Sequence, residues 1–481
     1  MELKILIRNH KSQLAGDRRI VEYLREHPKF RLRVPNAWYA MKNTRGWDGY
    51  KRFISEGGLF DTGLLHEVLE CLSEKGGVRL TLSDKRRLSE EPGELVTELG
   101  GLVGRGYQIE AVKSVIEHTV GGLVFQRGVL HEATNAGKNL IAAMLYASLG
   151  EAPKGLFLIN NKVIFNQAVV ELTELLGSDT VGWCSSEKGV NWKNFNVCMV
   201  QTLSNRIKSD RKVKQAVEQC EMLLVDEADE VIGYKNTKHI FSTAWDAPVR
   251  VALTGSADTA KNKIKNKEVI AFFGPIIHTT TNKDLVEQGF SARPFIKIHT
   301  GNTHVSESTY TREYELGIMK NKKRNKKVWK RVAYHLSKGR HRILILYRYH
   351  KHLKYLWKTM PPEISEKYRV VGVHGAHKTR ENTLRDFKEG KVDILISSMI
   401  IKRGKNLPLM QVLINAAAGD SHTTIKQILG RGMRRKAGIK TKIYMDDFFD
   451  TGQFLKRHAK HRVIYYKKEG FPVKELYKKN P

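Results

Sequence analysis

The stretch Met222-Leu223-Leu224-Val225-Asp226-Glu227-Ala228-Asp229 decides the fold. Four apolar residues run without a polar break and end on carboxylates. An unbroken apolar run, unlike an alternating one, marks a strand covered on both faces, as in a parallel sheet. Working outward, the same pattern recurs at Gly155-Leu156-Phe157-Leu158-Ile159, at 197–200 and at 249–253, with helical patterns between. It starts again at 341–346, 370–373, 392–396 and 411–414. Strands alternating with helices predict parallel sheets, and two such series predict two α/β lobes.

Open parallel sheets bind ligands beyond the carboxyl ends of their strands. Asp226 and Glu227 stand at such an end, where one carboxylate suits Mg²⁺ and the next suits polarising a water. Upstream, Glu132-Ala133-Thr134-Asn135-Ala136-Gly137-Lys138-Asn139 precedes the helical pattern Leu140 to Leu145. A tight loop opening a helix aims backbone N–H groups at a phosphate, and a lysine there neutralises its charge. Lys138 and Asp226 are 88 residues apart (226 − 138), which leaves room for intervening strand–helix units. Near the end of the second series, Gln427, Arg431 and Arg434 fall at i, i+4 and i+7, one face of a helix. An arginine beside a transferring phosphoryl group stabilises its developing charge.

The 481 residues exceed one ordinary core, and 41% hydrophobic residues with only 12 prolines predict a mostly folded chain. Lysine and arginine total 83 against 50 acidic residues, a formal charge of +33. That excess favours a polyanionic partner, since each neutralised phosphate releases counterions. Cys71, Cys184, Cys198 and Cys220 show no paired spacing of a zinc site or disulfide framework, as expected in a reducing compartment. No run reaches the roughly 18 apolar residues of a membrane span, and the Met1 end lacks a signal-peptide core. The expected location is the cytoplasm, with no membrane partner and a monomeric working form.

Residues 1–95 form a leading block that ends in the turn-prone stretch from Ser83 to Gly93. Trp38, Tyr39, Trp47, Tyr50 and Phe53 are interleaved there with arginines and lysines. Such a mixture serves either as a base-stacking platform or as the core of a small domain with a basic rim; the core reading is favoured, with nucleic-acid binding assigned to the rim. Lys320 to Arg331 is a dense basic run expected on one helix. The tail 451–481 holds nine Lys/Arg against two Glu, a balance of +7. It is expected as a basic helix on a nucleic-acid backbone, with a loosely ordered tail as the competing reading.

These motifs, over about 100–450, resemble those of superfamily-two helicases in their expected order. The resemblance implies two tandem RecA-like parallel-sheet domains, 96–290 and 291–450. They follow a small N-terminal α+β domain, 1–95, and precede a basic C-terminal helical extension, 451–481. It implies ATP and Mg²⁺ as cofactors and DNA, with RNA open, as partner. Arg105, Tyr107 and Gln108 resemble the adenine-reading element; Thr134, Asn135, Ala136, Gly137, Lys138 and Asn139 resemble the Walker A loop. Asp226 and Glu227 resemble the Walker B box, and Asp226 with Asn139 would hold the metal. Gly404 and Asn406 are implied at the nucleotide, and Gln427, Arg431 and Arg434 at its γ-phosphate. Asn161, Lys162, Gln201, Thr202, Thr254, Gly255, Ser256, Arg348, His374, Gly375, Ser398 and Lys402 are implied at nucleic acid.

The spelling Asp226-Glu227-Ala228-Asp229 is that of the DEAD box, but Asn160 to Ile164 and Thr254-Gly255-Ser256 depart from that family's other elements. Closer are the phage UvsW-type recombination and repair helicases, through Gln288-Gly289-Phe290, the Asn321/Arg324-Asn325 pattern and Lys468-Glu469-Gly470-Phe471. The implied activity is ATP-driven unwinding or branch migration of DNA in repair, recombination or replication, in a phage-infected bacterial cell. An RNA helicase, a nuclease-linked translocase and an ATPase-weak annealing protein are the alternatives. Two departures bear on the chemistry. Asn139 stands where a Walker A loop has a metal-binding hydroxyl, and Asn135 replaces a glycine.

Overall fold

The structure, a computed structural model, describes residues 1–41, 46–88, 93–150, 153–255, 263–301, 305–374, 380–398, 410–420, 422–433 and 442–479. The side chains of 39, 40, 380, 381, 422–424, 426, 427 and 431 lie outside that description. The chain divides into two compact units, Met1–Thr280 and Thr281–Pro481. Among the described residues no helix is long and apolar enough to cross a membrane.

The first unit is built on an eight-stranded sheet. In spatial order its strands are Gly189–Asn191, Val181–Ser185, Phe195–Met199, Gly155–Ile159, Met222–Asp226, Val249–Thr254, Arg127–Glu132 and Ile276–Thr280. All neighbours are parallel except Gly189–Asn191 against Val181–Ser185. The apolar run that opened the sequence reading is its centre: all five residues of Met222–Asp226 are buried. Met222 and Leu224 join a core with Phe157, Leu130 and Leu145, whereas Leu223 and Val225 join another with Leu158, Val129 and Ile240. Two faces, each with its own helices, explain why no polar residue alternates along the strand.

A smaller α+β layer precedes it. Its strands run in the order Leu59–Asp61, Lys11–Gly16, Glu2–Ile7, Arg79–Asp84, and only the last pair is parallel. Helices Arg18–Glu26 and Leu65–Lys75 bury Ile20, Leu24, Val68 and Leu72 against it. The layer is pinned to the large sheet by polar groups. Arg127, 2% exposed, donates from Nη1 to the Asn9 carbonyl at 2.9 Å and from Nη2 to the Phe272 carbonyl at 2.5 Å. The Asn9 amide in turn donates to the Asp246 carboxylate at 3.0 Å. Gly63 lies so close to the carbonyls of Ile270 and Ala271 that no Cβ fits there.

The aromatic residues of the leading block divide. Phe53 is core at 8% exposure, as expected, but Trp38 is 63% exposed and Trp47 and Tyr50 are half-buried. Arg31 covers the Tyr50 ring at 3.7 Å, so a cation does there what a core would otherwise do. The core reading therefore holds for Phe53 and not for Trp38.

The second unit carries a seven-stranded sheet, all parallel: Val370–Val373, Ile394–Ser398, Ile343–Tyr347, Val412–Asn415, Lys442–Phe449, Arg293–Thr300 and Val473–Glu475. Its buried charges are paired. Arg324 meets Asp450 at 2.7 Å, and Arg462 meets Asp447 at 2.9 Å. Asp446 accepts from His299 at 2.7 Å and His335 at 2.8 Å while facing Arg331 at 2.9 Å. From Lys322 onward the basic run forms one helix, Lys322–Leu336, capped by the Asn321 side chain, while Lys320 closes the preceding turn Glu315–Met319; Arg324 and Asn325 point inward rather than to solvent.

The tail folds too. Helix Gln453–Lys468 begins where the buried Glu313 carboxylate accepts from the backbone N–H groups of Gln453, Phe454 and Leu455 at 2.8–3.0 Å. A carboxylate there satisfies orphan donors and the helix dipole together. Val473–Glu475 then adds the edge strand. The loosely ordered alternative fails, and Arg462, counted among the phosphate-facing cations, is buried in an ion pair instead. Lys456, Arg457, Lys460 and Lys467 remain exposed. Arg462→Ala, which leaves the buried Asp447 without its cation and with only the neutral donors Asn415, Tyr466 and the Phe448 N–H, is expected to destabilise the second unit by about 3 kcal/mol. Lys460→Ala should change stability by less than about 0.5 kcal/mol. Chemical denaturation followed by hydrogen exchange in Lys442–Phe449 checks both.

Candidate active site

The strand Arg127–Glu132 leaves the first sheet into the loop 133–137, which opens helix Lys138–Ala147. Gly137 adopts φ 75°, and a Cβ there would also strike the Gln108 amide, so backbone and space both require glycine. The first helical N–H groups have no intrahelical acceptor and face outward from the positive end of the helix dipole.

Lys138 turns back over the sheet. Its Nζ lies 2.8 Å from Asp226 Oδ1 and donates to Glu227 Oε1 at 2.9 Å. Burial opposes the ammonium charge, but the two carboxylates outweigh it and hold the Lys138 pKa above the usual lysine range. Burial pushes the Asp226 carboxyl up, against the pull of Lys138. Glu227 occupies the left-handed region, φ 47° and ψ 51°, a position a non-glycine residue holds only when its surroundings impose it. Asp226 Oδ1 is buried, and its close neighbour is the Lys138 ammonium at 2.8 Å. A hard, buried carboxylate oxygen whose present partner is a cation is of the type that suits Mg²⁺.

Between these two elements runs Val249–Thr254, adjacent to both Met222–Asp226 and Arg127–Glu132. The Thr254 hydroxyl, wholly buried, donates to Asp229 at 2.6 Å, and Gly255 follows at the strand end beside the start of the phosphate loop. The loop is braced from its other side. Gln108 Nε2 donates to the Ala136 carbonyl at 2.7 Å while its Oε1 accepts from the Arg105 N–H at 2.9 Å. The Tyr107 hydroxyl donates to the same carbonyl at 3.0 Å, and Arg105 donates to that hydroxyl at 3.1 Å. Gln108, 3% exposed, thus clasps the loop as well as lying in the element expected at the base. The Asn139 amide donates to Glu171 at 2.6 Å.

Other expected residues collect at the same carboxyl-terminal sheet edge. Asn161 caps helix Lys162–Leu176 by accepting from Val163 and Ile164, Lys162 pairs with Glu187 at 2.9 Å, and Gln201 and Thr202 open helix Val200–Ser209. In the second unit Arg348, His374 and Ser398 stand at the ends of three neighbouring strands. Arg348 donates to the Tyr310 hydroxyl at 2.7 Å. Gln427 and Arg431 lie on helix His422–Met433. Ser256, Gly375, Lys402, Gly404, Asn406 and Arg434 lie outside the described residues.

Sequence reading missed Glu132. Wholly buried just before the loop, it meets His278 Nδ1 at 2.6 Å, and its second oxygen has no hydrogen-bond partner. The signal was a carboxylate at the end of a strand, directly before the loop. It missed Glu171 as well, which only tertiary contact brings to Asn139. Gln108→Ala removes one hydrogen bond to Ala136 while sparing that of Tyr107. It is expected to weaken nucleoside triphosphate binding about tenfold, roughly one net buried hydrogen bond, as read by a fluorescent nucleotide titration.

Comparison with known proteins places a family match on each sheet. Residues 102–258 match the family described as type III restriction enzyme, res subunit. Residues 325–436 match the helicase conserved C-terminal domain. The chain is 23% identical over 444 residues to the ATP-dependent DNA helicase uvsW of Enterobacteria phage T4, covering 87% of this chain and 85% of that protein. It is 36% identical over 85 residues to the ATP-dependent RNA helicase dbp3 of Schizosaccharomyces pombe, 17% of this chain and 14% of that one. The solved structure of S. cerevisiae Dbp5 bound to RNA and ADP BeF3 superposes with a TM-score of 0.52 at 14% identity, over 78% of this chain and 90% of that one. That likeness is one of fold and agrees with two RecA-like parallel sheets. With a lysine of the phosphate loop seated on paired carboxylates and the two matches in motor order, the chain is a superfamily-two ATP-dependent helicase resembling the phage UvsW protein.

Proposed function

We propose that this helicase acts on DNA, unwinding it or migrating its branch points during repair, recombination or replication in the cytoplasm of a phage-infected cell. The observation that carries the catalytic part is Lys138 held on Asp226 and Glu227. An incoming triphosphate competes for that lysine, and its release frees both carboxylates. Asp226 would then hold Mg²⁺, which supplies charge neutralisation for the phosphates when bound. Glu227 orients the attacking water and accepts its proton. Arg431 and Arg434, with Gln427, are assigned to the charge that develops on the γ-phosphoryl group, and Gly404 and Asn406 to the nucleotide. The Thr254–Asp229 bond ties this chemistry to the strand end assigned to nucleic acid. Asn161, Lys162, Arg348, His374 and Ser398 are assigned to the nucleic-acid backbone with it.

DNA is favoured over RNA because the relative spanning most of the chain is a DNA helicase, whereas the RNA helicase matches a short segment. The net charge of +33 and the exposed cations of helix Gln453–Lys468 suit either polymer. ATP hydrolysis measured with single-stranded, duplex and branched DNA and with matched RNA tests the reading. Branched or single-stranded DNA is expected to stimulate most; stronger stimulation by RNA overturns the substrate and leaves the motor intact. Glu227→Gln should bind ATP and lose turnover. Arg431→Ala and Arg434→Ala should each slow single-turnover hydrolysis by about 10³ or more. Near-normal hydrolysis by Glu227→Gln would remove it from the mechanism.

A further inference from the structure

Away from the phosphate loop, the leading layer and the large sheet of the first unit enclose a cavity of about 370 Å³. Its walls combine features the motor chemistry does not use. Lys11 and Lys51 stand on one side, Lys238 on another, and Phe53 and Phe272 supply aromatic wall. Lys51 and Lys238 share Glu268 as a partner. Lys11 is exposed and makes no ion pair among the described residues.

The floor is unusual. His10 Nδ1 lies 3.3 Å from the Phe241 carbonyl, which only accepts, so that nitrogen carries the ring proton. Burial, with Arg250 and Lys11, pushes the His10 pKa down to about 3, leaving the ring neutral and its Nε2 a bare acceptor. That acceptor faces Asp61 Oδ1 at 3.7 Å. The half-buried Asp61 carboxylate makes no hydrogen bond to a side chain among the described residues. Two acceptors side by side, unbridged, call for a ligand that presents adjacent N–H donors.

The surrounding field excludes a cation. Burial pushes the Asp61 carboxyl up, and Lys11, the buried Arg127 and Arg250 paired across neighbouring strands, and Lys51 pull against it in favour of the carboxylate. A ligand that fits all of this is anionic at one end, aromatic, and rich in N–H along one edge. We propose that this cavity binds one nucleotide unit, with a guanine-type donor edge on Asp61 and His10, the base against Phe272 and Phe53, and the phosphate toward Lys11. Carboxylate acceptors read base N–H groups, aromatic rings stack on bases, and lysines take phosphates. The site lies apart from the ATP loop and does not depend on how that loop is read. The nucleotide is either free or an unstacked residue of a strand.

The test uses the full chain with ADP and Mg²⁺ saturating the phosphate loop, and 5′-phosphorylated guanine and thymine trinucleotides followed by fluorescence anisotropy. Guanine is expected to bind more tightly. Asp61→Asn should weaken the guanine oligomer by about tenfold or more and leave thymine unchanged. Lys11→Glu, at an exposed position, should weaken both and flatten their salt dependence, and it keeps the test open if Asp61→Asn fails to fold. Competition by GMP assigns the site to free nucleotide; its absence assigns it to a strand; both support the cavity. Equal binding of the two oligomers by the parent, equal loss in Asp61→Asn, or no change in Lys11→Glu overturns the proposal.

Discussion

The attraction between one ammonium and two carboxylates organises the catalytic half of this molecule. Lys138 begins a helix, Asp226 and Glu227 end a strand, and the three meet in a largely dehydrated corner where charge pairs act strongly and unpaired charge is costly. For them to meet, the lysine must turn back at the first residue of its helix, and only a left-handed Gly137 starts that turn. Glu227 must leave its strand in an equally rare conformation. The strand between them, Val249–Thr254, is wholly buried, and its Thr254 grasps Asp229. The loop and two uncommon backbone angles serve one electrostatic contact.

The second unit solves a different problem with the same means. Strand Lys442–Phe449 and the residue after it hold three aspartates within five residues, 446, 447 and 450, all buried. Each has its own cationic or imidazole partner drawn from another element, so Lys322–Leu336, Arg293–Thr300 and Gln453–Lys468 are located by charge as much as by apolar contact. Ion pairs of this kind add little net stability over apolar packing but make misplaced alternatives costly. They fix the sheet whose strand ends carry Arg348, His374 and Ser398.

How much was legible in the sequence follows from the same charges. Strands whose apolar run is unbroken, such as Gly155–Ile159, Val370–Val373 and Met222–Asp226 with its carboxylate only at the last position, stood out. Arg127–Glu132 and Lys442–Phe449 did not, because buried Arg127, Glu132, Asp446 and Asp447 break the hydrophobic pattern. Their compensating partners lie far away in sequence. In the site, the phosphate loop and paired carboxylates are local spellings and were readable. The clasp of Gln108 on Ala136, the engagement of Asn139 by Glu171 and the His10–Asp61 floor depend on tertiary approach, which no spacing rule encodes. Trp38 and Arg462 show the converse: residue type suggested a core aromatic and a surface cation, and each took the opposite place.

The seam made by Arg127, Asn9, Asp246 and Gly63 bears on how such a protein changes over time. The leading layer meets its lobe through backbone carbonyls, a glycine contact with no room for a side chain and a guanidinium whose acceptors come from both sides. Surfaces of that sort do not tolerate a substitute of merely similar shape. The layer is therefore not a cassette to be transplanted between motors, and a homologous exchange that replaced it would have to carry the residues around Arg127 and Phe272 with it.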